Sequence, residues 1–202
     1  MSTTITWLLL LAVFSGLSIN LFLQLGLGIR GITLGVNIGK ERLLAGVLLL
    51  FLSVILLWLF FIFIRSVFFM GSFEYILLFP ASYLAFSVLE YFTNRFILKC
   101  DALHGELYPL STTHSGAALT GAALFIVLNI ASDFPEALSL SLGFSCGTAL
   151  VYVVVNEIRR RAGIESVPRW LRGAPLTLIA MGLLSLIFSS GALMIFRILG
   201  SK

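Results

Sequence analysis

Leu107-Tyr108-Pro109-Leu110-Ser111-Thr112-Thr113-His114-Ser115-Gly116 sets a proline, four Ser/Thr hydroxyls and a histidine directly before an apolar run. If the segment lies at membrane depth, its backbone cannot all be helical. Its freed polar groups then need protein, ion or water partners. Broken helices of this kind line binding sites and pathways in membrane transporters. Ser111, Thr112, Thr113 and Ser115 can each cap the helix that follows. His114 has two readings: a ring bonded to freed carbonyls or threonine hydroxyls, or a proton or redox group. No second histidine, cysteine or carboxylate is spaced beside it as a metal-ligand partner.

Glu90, in Val88-Leu89-Glu90-Tyr91-Phe92, is the second candidate. A carboxylate at the bilayer centre costs at least about 2.5 kcal/mol, so it normally faces a partner or a wet cavity. It serves either as an ion or proton relay, or as a group near the cytoplasmic end that reaches headgroups or Arg95. Gly26-Leu27-Gly28-Ile29-Arg30-Gly31 also has two readings, a close backbone approach at Gly26 and Gly28 or a helix C-cap. Asn20 is expected to hydrogen-bond between helices. Gly143-Phe144-Ser145-Cys146-Gly147-Thr148-Ala149 predicts tight helix packing, with Cys146 as a small buried filler. Arg159-Arg160-Arg161 reads as a membrane-surface anchor or a site for an acidic partner.

The elements that position these residues are set by lipid. Of 202 residues, 59% are hydrophobic and 11% charged, where a soluble domain carries about a quarter charged. Six runs approach the roughly 20 apolar residues that cross a bilayer: 7–27, 43–64, 75–98, 111–131, 137–155 and 174–198. The fold class is therefore all-α integral membrane, with six transmembrane helices. Ten Lys/Arg residues lie on the odd-to-even connections and three on the other side (Arg65, Arg197 and Lys202). The positive-inside rule makes the first set cytoplasmic. The expectation is a multi-pass protein of the inner (cytoplasmic) membrane with both termini outside. The N-terminus lacks a basic n-region and reads as a retained first helix.

Three crossings per half invert the second half, as in inverted-repeat transporters. The expected halves are 1–100 and 101–202, with broken first and fourth helices: an interruption from Asn20 to Gly35 and another from Pro109 to Gly121. Glu41 and Glu136 each stand near the start of a half's second helix. The net charge of +4 is spread over loops, which argues against nucleic acid. Cys100 and Cys146 are too few for a disulfide framework. No nucleophile–base pair, phosphate loop or metal-ligand cluster occurs in the sequence, so the chain is not expected to catalyse alone.

Three stretches resemble a known family. Gly105-Glu106-Leu107-Tyr108-Pro109-Leu110-Ser111-Thr112-Thr113-His114-Ser115 resembles G-x-x-x-P-L-I-T-T-N-C in the six-helix membrane subunits of Rnf and Na⁺-translocating NADH:quinone oxidoreductase complexes. Residues 167–186, from Val167-Pro168 through Arg172-Gly173 to Leu186, resemble its V-P-x-x-x-R-G-x-x-x-x-L-I-x-A-G-L-M-S-L. Leu25-Gly26-Leu27-Gly28 is similar to its L-G-L-C, and Glu90 falls near a family glutamate. The RnfA type is the nearest likeness. The resemblance implies a subunit of an ion-translocating electron-transport complex, paired in the membrane with a homologous subunit of opposite orientation and joined by other membrane redox subunits. In the family, cysteines from the half-helices of such a pair hold an iron–sulfur (2Fe–2S) cluster. The matching positions here are approximately Gly28 and Ser115, and neither supplies a thiolate. The expectation is therefore the fold without the cluster, with no metal or cofactor on this chain. Two alternatives are a stand-alone ion or small-solute transporter using the 111–115 break and Glu90, and a structural assembly subunit.

Overall fold

The computed structural model describes residues 2–20, 23, 40–67, 73–92, 95, 113–164, 168, 171 and 173–200. Among these there is no strand. Helix α1 covers Ser2–Val13 and runs directly into a π-helical turn, Phe14–Ser18. Among the described residues five further helices follow: α2 Lys40–Val67, α3 Phe73–Phe92, α4 Thr113–Ile130, α5 Phe134–Ile164 and α6 Ala174–Gly200. Each falls on one of the six expected apolar runs. Three contain stretches long and apolar enough to cross a membrane, Leu44–Ser66, Phe134–Ala162 and Pro175–Ile195. The apolar stretches of the other three are shorter: Ile5–Ser18, Ile76–Phe92 and Gly116–Ile130. The chain is an all-α membrane protein.

The outward surface is apolar, as a lipid solvent requires. Leu44, Leu48, Leu52, Leu56, Leu59 and Phe63 of α2 are all exposed, and their spacing of three or four residues marks one helix face. The opposite face enters the core, where Val54, Leu57 and Trp58 meet Leu124 and Val127 of α4 and Leu140, Phe144 and Val151 of α5. Buried hydroxyls are mostly satisfied on their own helix: Ser141 donates to Ala137 O (2.7 Å), Ser145 to Ser141 O (2.9 Å) and Thr148 to Phe144 O (2.7 Å). Such back-bonding removes the cost of a bare hydroxyl in an apolar interior.

Two kinds of contact recur along the chain: α1 packs on α5 as α4 packs on α2, and the π turn touches α6 as α4 touches α3. Helix α2 also packs on α5, and the Trp58 ring lies 6.0 Å from that of Phe134, the first residue of α5.

The entry to α6 is set by backbone. Gly173 adopts φ +91°, and its carbonyl accepts both the Thr177 N–H (3.1 Å) and the Thr177 hydroxyl (2.9 Å). Leu176 N–H donates to Leu171 O at 3.1 Å, closing the turn. A Cβ on Gly173 would meet no atom, so replacement is penalised through φ alone. Gly173→Ala is expected to cost about 1–2 kcal/mol, read as a lower thermal midpoint in detergent. Gly182→Ala, equally open but inside α6, should leave the midpoint unchanged or raise it.

Candidate functional site

The first helix breaks at Asn20. Within the π turn the Ile19 N–H donates five residues back, to Phe14 O at 3.0 Å, and Ile19 then leaves helical geometry (φ −106°, ψ 47°). Asn20 is 3% exposed. Its Nδ2 donates to Gly16 O at 2.8 Å, and its Oδ1 accepts the Leu23 N–H at 3.3 Å. One side chain thus occupies a carbonyl above the break and an amide below it. These are the groups that lipid would leave unpaired. The expectation of an interruption from Asn20 is met at its first residue. The expected interhelical bond is not among those found: both Asn20 bonds stay within its own segment, because the break it caps offers the nearest unpaired groups.

The depth of this break follows from packing on α5. Trp7 lies beside Glu136, Ser15 Oγ donates to Leu140 O (3.0 Å), and Gly16 abuts Gly143 and Gly147. The pairs advance together, so the two helices are parallel. Gly147 is near the middle of the apolar stretch Phe134–Ala162, and Asn20 follows Gly16 by one turn. The break is therefore at mid-depth in the bundle. Close approach there depends on missing side chains. A Cβ on Gly16 would fall 2.7 Å from Gly143 O, and one on Gly147 would fall 2.7 Å from Gly16 Cα. The tight packing expected of residues 143–149 is present. Cys146 departs from expectation. It is exposed, because it shares the outward stripe of Leu142, Leu150 and Val153, while Gly143 and Gly147 face α1.

The second candidate break lies at a different level. Thr113, His114 and Ser115 form the first turn of α4. Pro109, Ser111, Thr112, Gly26 and Gly28 lie outside the described residues. One turn into α4, Ala117 is buried with Leu49 of α2 and Phe86 of α3, and Leu89 packs against them. Further along, Thr120 and Ser53 share a hydrogen bond at 3.3 Å, both fully buried. A Cβ on Gly121 would lie 3.0 Å from Ser82 Oγ. These contacts make α4 parallel to α2 and antiparallel to α3. One turn before Ala117, Thr113 is level with Ala45 of α2 and with Glu90 of α3. The structure thus brings half-buried Glu90 and the 113–115 turn to one level at one end of the bundle. It does not bring the Asn20 break there. Ser15, Ser53 and Thr120, the hydroxyls that bond across helices, gave no signal beyond their small size.

Arg160 and Arg161 pair with Glu157 at 3.4 and 3.1 Å, both exposed. Pairs this exposed contribute little to stability. They mark where α5 leaves the apolar layer.

Among the described residues no group of three or more His, Cys, Asp or Glu is placed to hold a metal ion. At the two positions that the resemblance matches to the family's cysteines, the sequence offers no thiolate. Glycine at 28 has no donor atom and serine at 115 has a hydroxyl, whereas iron–sulfur clusters take thiolates. Cys146 points outward from another helix.

No family model matches the chain, and no solved structure does. Curated relatives match at about one-third identity. A protein named for its place in the Na(+)-translocating NADH-quinone reductase of Psychrobacter sp. (strain PRwf-1) is 34% identical over 122 residues, 60% of this chain and 57% of that protein. Its namesake in Rhodopirellula baltica is 35% identical over 105 residues, 51% of this chain and 47% of that one. A component of the ion-translocating oxidoreductase complex of Alcanivorax borkumensis is 33% identical over 109 residues, 52% of this chain and 55% of that one. The chain thus spans about half the length of the curated relatives it matches. The resemblance read from the motifs is borne out: this chain is a relative of proteins that are named as subunits of these two kinds of complex.

Proposed function

We propose that the chain is an integral-membrane subunit of an ion-translocating electron-transport complex that carries no iron–sulfur cluster of its own. Its similarity to subunits of two such complexes carries this reading, and the satisfied mid-depth break at Asn20 supports it. The buried amide keeps an interrupted helix stable at a depth where unpaired backbone is costly. The partner is a homologous membrane subunit of opposite orientation, alongside other redox subunits. The chain sits in the cytoplasmic membrane with both termini outside. Its halves, 1–100 and 101–202, form a 3+3 inverted repeat, which the reciprocal pairing of α1 with α5 and α4 with α2 supports. The turn at 113–115 and Glu90 line the ion path at one end. Electrons travel through neighbouring subunits, since Gly28 and Ser115 cannot replace thiolates.

The test is purification from the native membrane. The expected result is co-purification with flavin- and iron–sulfur-containing membrane proteins, with no stoichiometric iron on this chain once it is separated. Stoichiometric iron on the separated chain would overturn the cluster-free reading. Isolation as a single protein that takes up a solute in vesicles would overturn the complex and favour a stand-alone transporter.

A further inference from the structure

Among the described residues every buried serine and threonine hydroxyl has a hydrogen bond. The Tyr152 hydroxyl has none, although Tyr152 is only 4% exposed. A buried polar group without a partner is costly and calls for a reason. The Trp58 indole is also buried without one, but it sits among hydrocarbon beside Phe134, at the other end of α5. Tyr152 has polar company. Asn156 and Arg159 follow at four and seven residues, the spacing of one helix face, and both are half-buried. The Asn156 amide is likewise without a hydrogen bond, and the Arg159 charge acts on the Tyr152 phenol. Arg160 and Arg161 turn elsewhere: they are 74% and 72% exposed and pair with Glu157. At about 100° per residue, Glu157 stands well round the helix from Tyr152, so α5 brings no carboxylate to this face.

We infer that Tyr152, Asn156 and Arg159 bind a phosphate group at the level where α5 leaves the apolar layer. The donor chemistry selects an oxyanion. A hydroxyl and an amide each offer a proton, and a guanidinium adds charge and a fork of N–H donors. A cation is repelled by the same guanidinium. Depth then selects phosphate. The apolar run of α5 ends at Val155 and Asn156 is its first polar residue beyond, the level at which a bilayer holds its lipid phosphates. Burial relaxes from Tyr152 to Asn156 and Arg159, so the anion enters from the water side and reaches the phenol last. Basic sites between membrane helices hold anionic headgroups in this way. Two sources share the chemistry, a phospholipid headgroup and free phosphate.

The experiment reads the thermal midpoint of the full-length, delipidated protein in detergent against added dioleoyl phosphatidylglycerol, dioleoylglycerol or inorganic phosphate. The phosphatidylglycerol should raise the midpoint, and dioleoylglycerol, with the same chains and no phosphate, should not. A rise with inorganic phosphate alone would support the site and assign it to the free ion. Tyr152→Phe should keep or raise the midpoint without additive, because it removes a buried hydroxyl that has no partner. The same variant should need about tenfold more of the active additive for half the shift, the scale of one hydrogen bond to a charged group. Arg159→Gln should lose the shift, whereas Arg160→Gln should retain it. A midpoint lowered by Tyr152→Phe without additive would overturn the proposal, since the hydroxyl would then serve the fold. Equal shifts with phosphatidylglycerol and dioleoylglycerol, or no shift with any additive, would overturn it as well.

Discussion

Gly143→Ala is expected to lower the thermal midpoint of the detergent-solubilised protein by about 6–12 °C, from an overpacking cost of about 3 kcal/mol. A Cβ at this position would collide with Ser15 Oγ and the Ala12 carbonyl of α1, closer than real atoms approach. One obstacle is a side chain and the other is backbone. The helices must therefore separate, and the buried bond from Ser15 to Leu140 O is lost with the contact. Adding Ser15→Ala removes the side-chain obstacle and should recover part of the loss. That coupling is expected of residues in direct contact. Gly147→Ala should resist rescue of this kind, since its Cβ would meet only the backbone of Gly16. An unchanged midpoint in Gly143→Ala would mean that α1 is not seated on α5 at this register.

Asn20→Leu should destabilise by a similar amount for a different reason. Leucine fills much of the same space but leaves Gly16 O without its side-chain donor and Leu23 N–H without its Oδ1 acceptor. Each buried group stripped of its partner costs about 1–3 kcal/mol. Asn20→Asp separates the two bonds, because a carboxylate still accepts from Leu23 but turns an acceptor toward the Gly16 carbonyl. The expected order of thermal midpoints is wild type highest and both variants well below it. In the native membrane, Asn20→Leu should also reduce the amount of assembled complex. If Asn20→Leu matched wild type in midpoint and assembly, the break would not depend on this amide.

Hydropathy located the six helices among the described residues, yet it misjudged several ends for a physical reason. It reports where lipid is, whereas helix ends are set by capping and backbone geometry. The first apolar run passes through Asn20, where the π-helical turn gives way and the amide takes up the freed backbone groups, an interruption that hydropathy does not register. The fifth run ends near Val155, but α5 continues to Ile164. Polar residues leaving a bilayer stay helical when their own ladder is intact, and Glu157 adds pairs with Arg160 and Arg161. At its start, Asp133 O accepts the Ala137 N–H as the first rung of the helix ladder, and the Glu136 carboxylate reaches back to accept the Ser132 N–H, so the helix begins before the apolar run. The level shared by Glu90 and Thr113 was not legible, since it depends on how Ala117 and Gly121 seat against α3. Cys146 was misplaced because a row of small residues does not say which of them faces inward. Gly143 and Gly147 do; the cysteine between them is turned away.

The parallel seating of α1 on α5 sets a timetable for synthesis. Ser15 and the carbonyl it bonds are 125 positions apart in the chain, and Trp7 and Glu136 are 129 apart. At translation rates of about 5–20 residues per second, α1 waits roughly 6–25 s for its partner. During that time its glycine face and Ser15 hydroxyl have no α5 to meet. A shorter delay separates α2 from α4, whose buried Ser53–Thr120 pair spans 67 positions. The bundle therefore closes late, after the fifth helix has left the insertion machinery. Until then the first helix is a short apolar segment in need of a host.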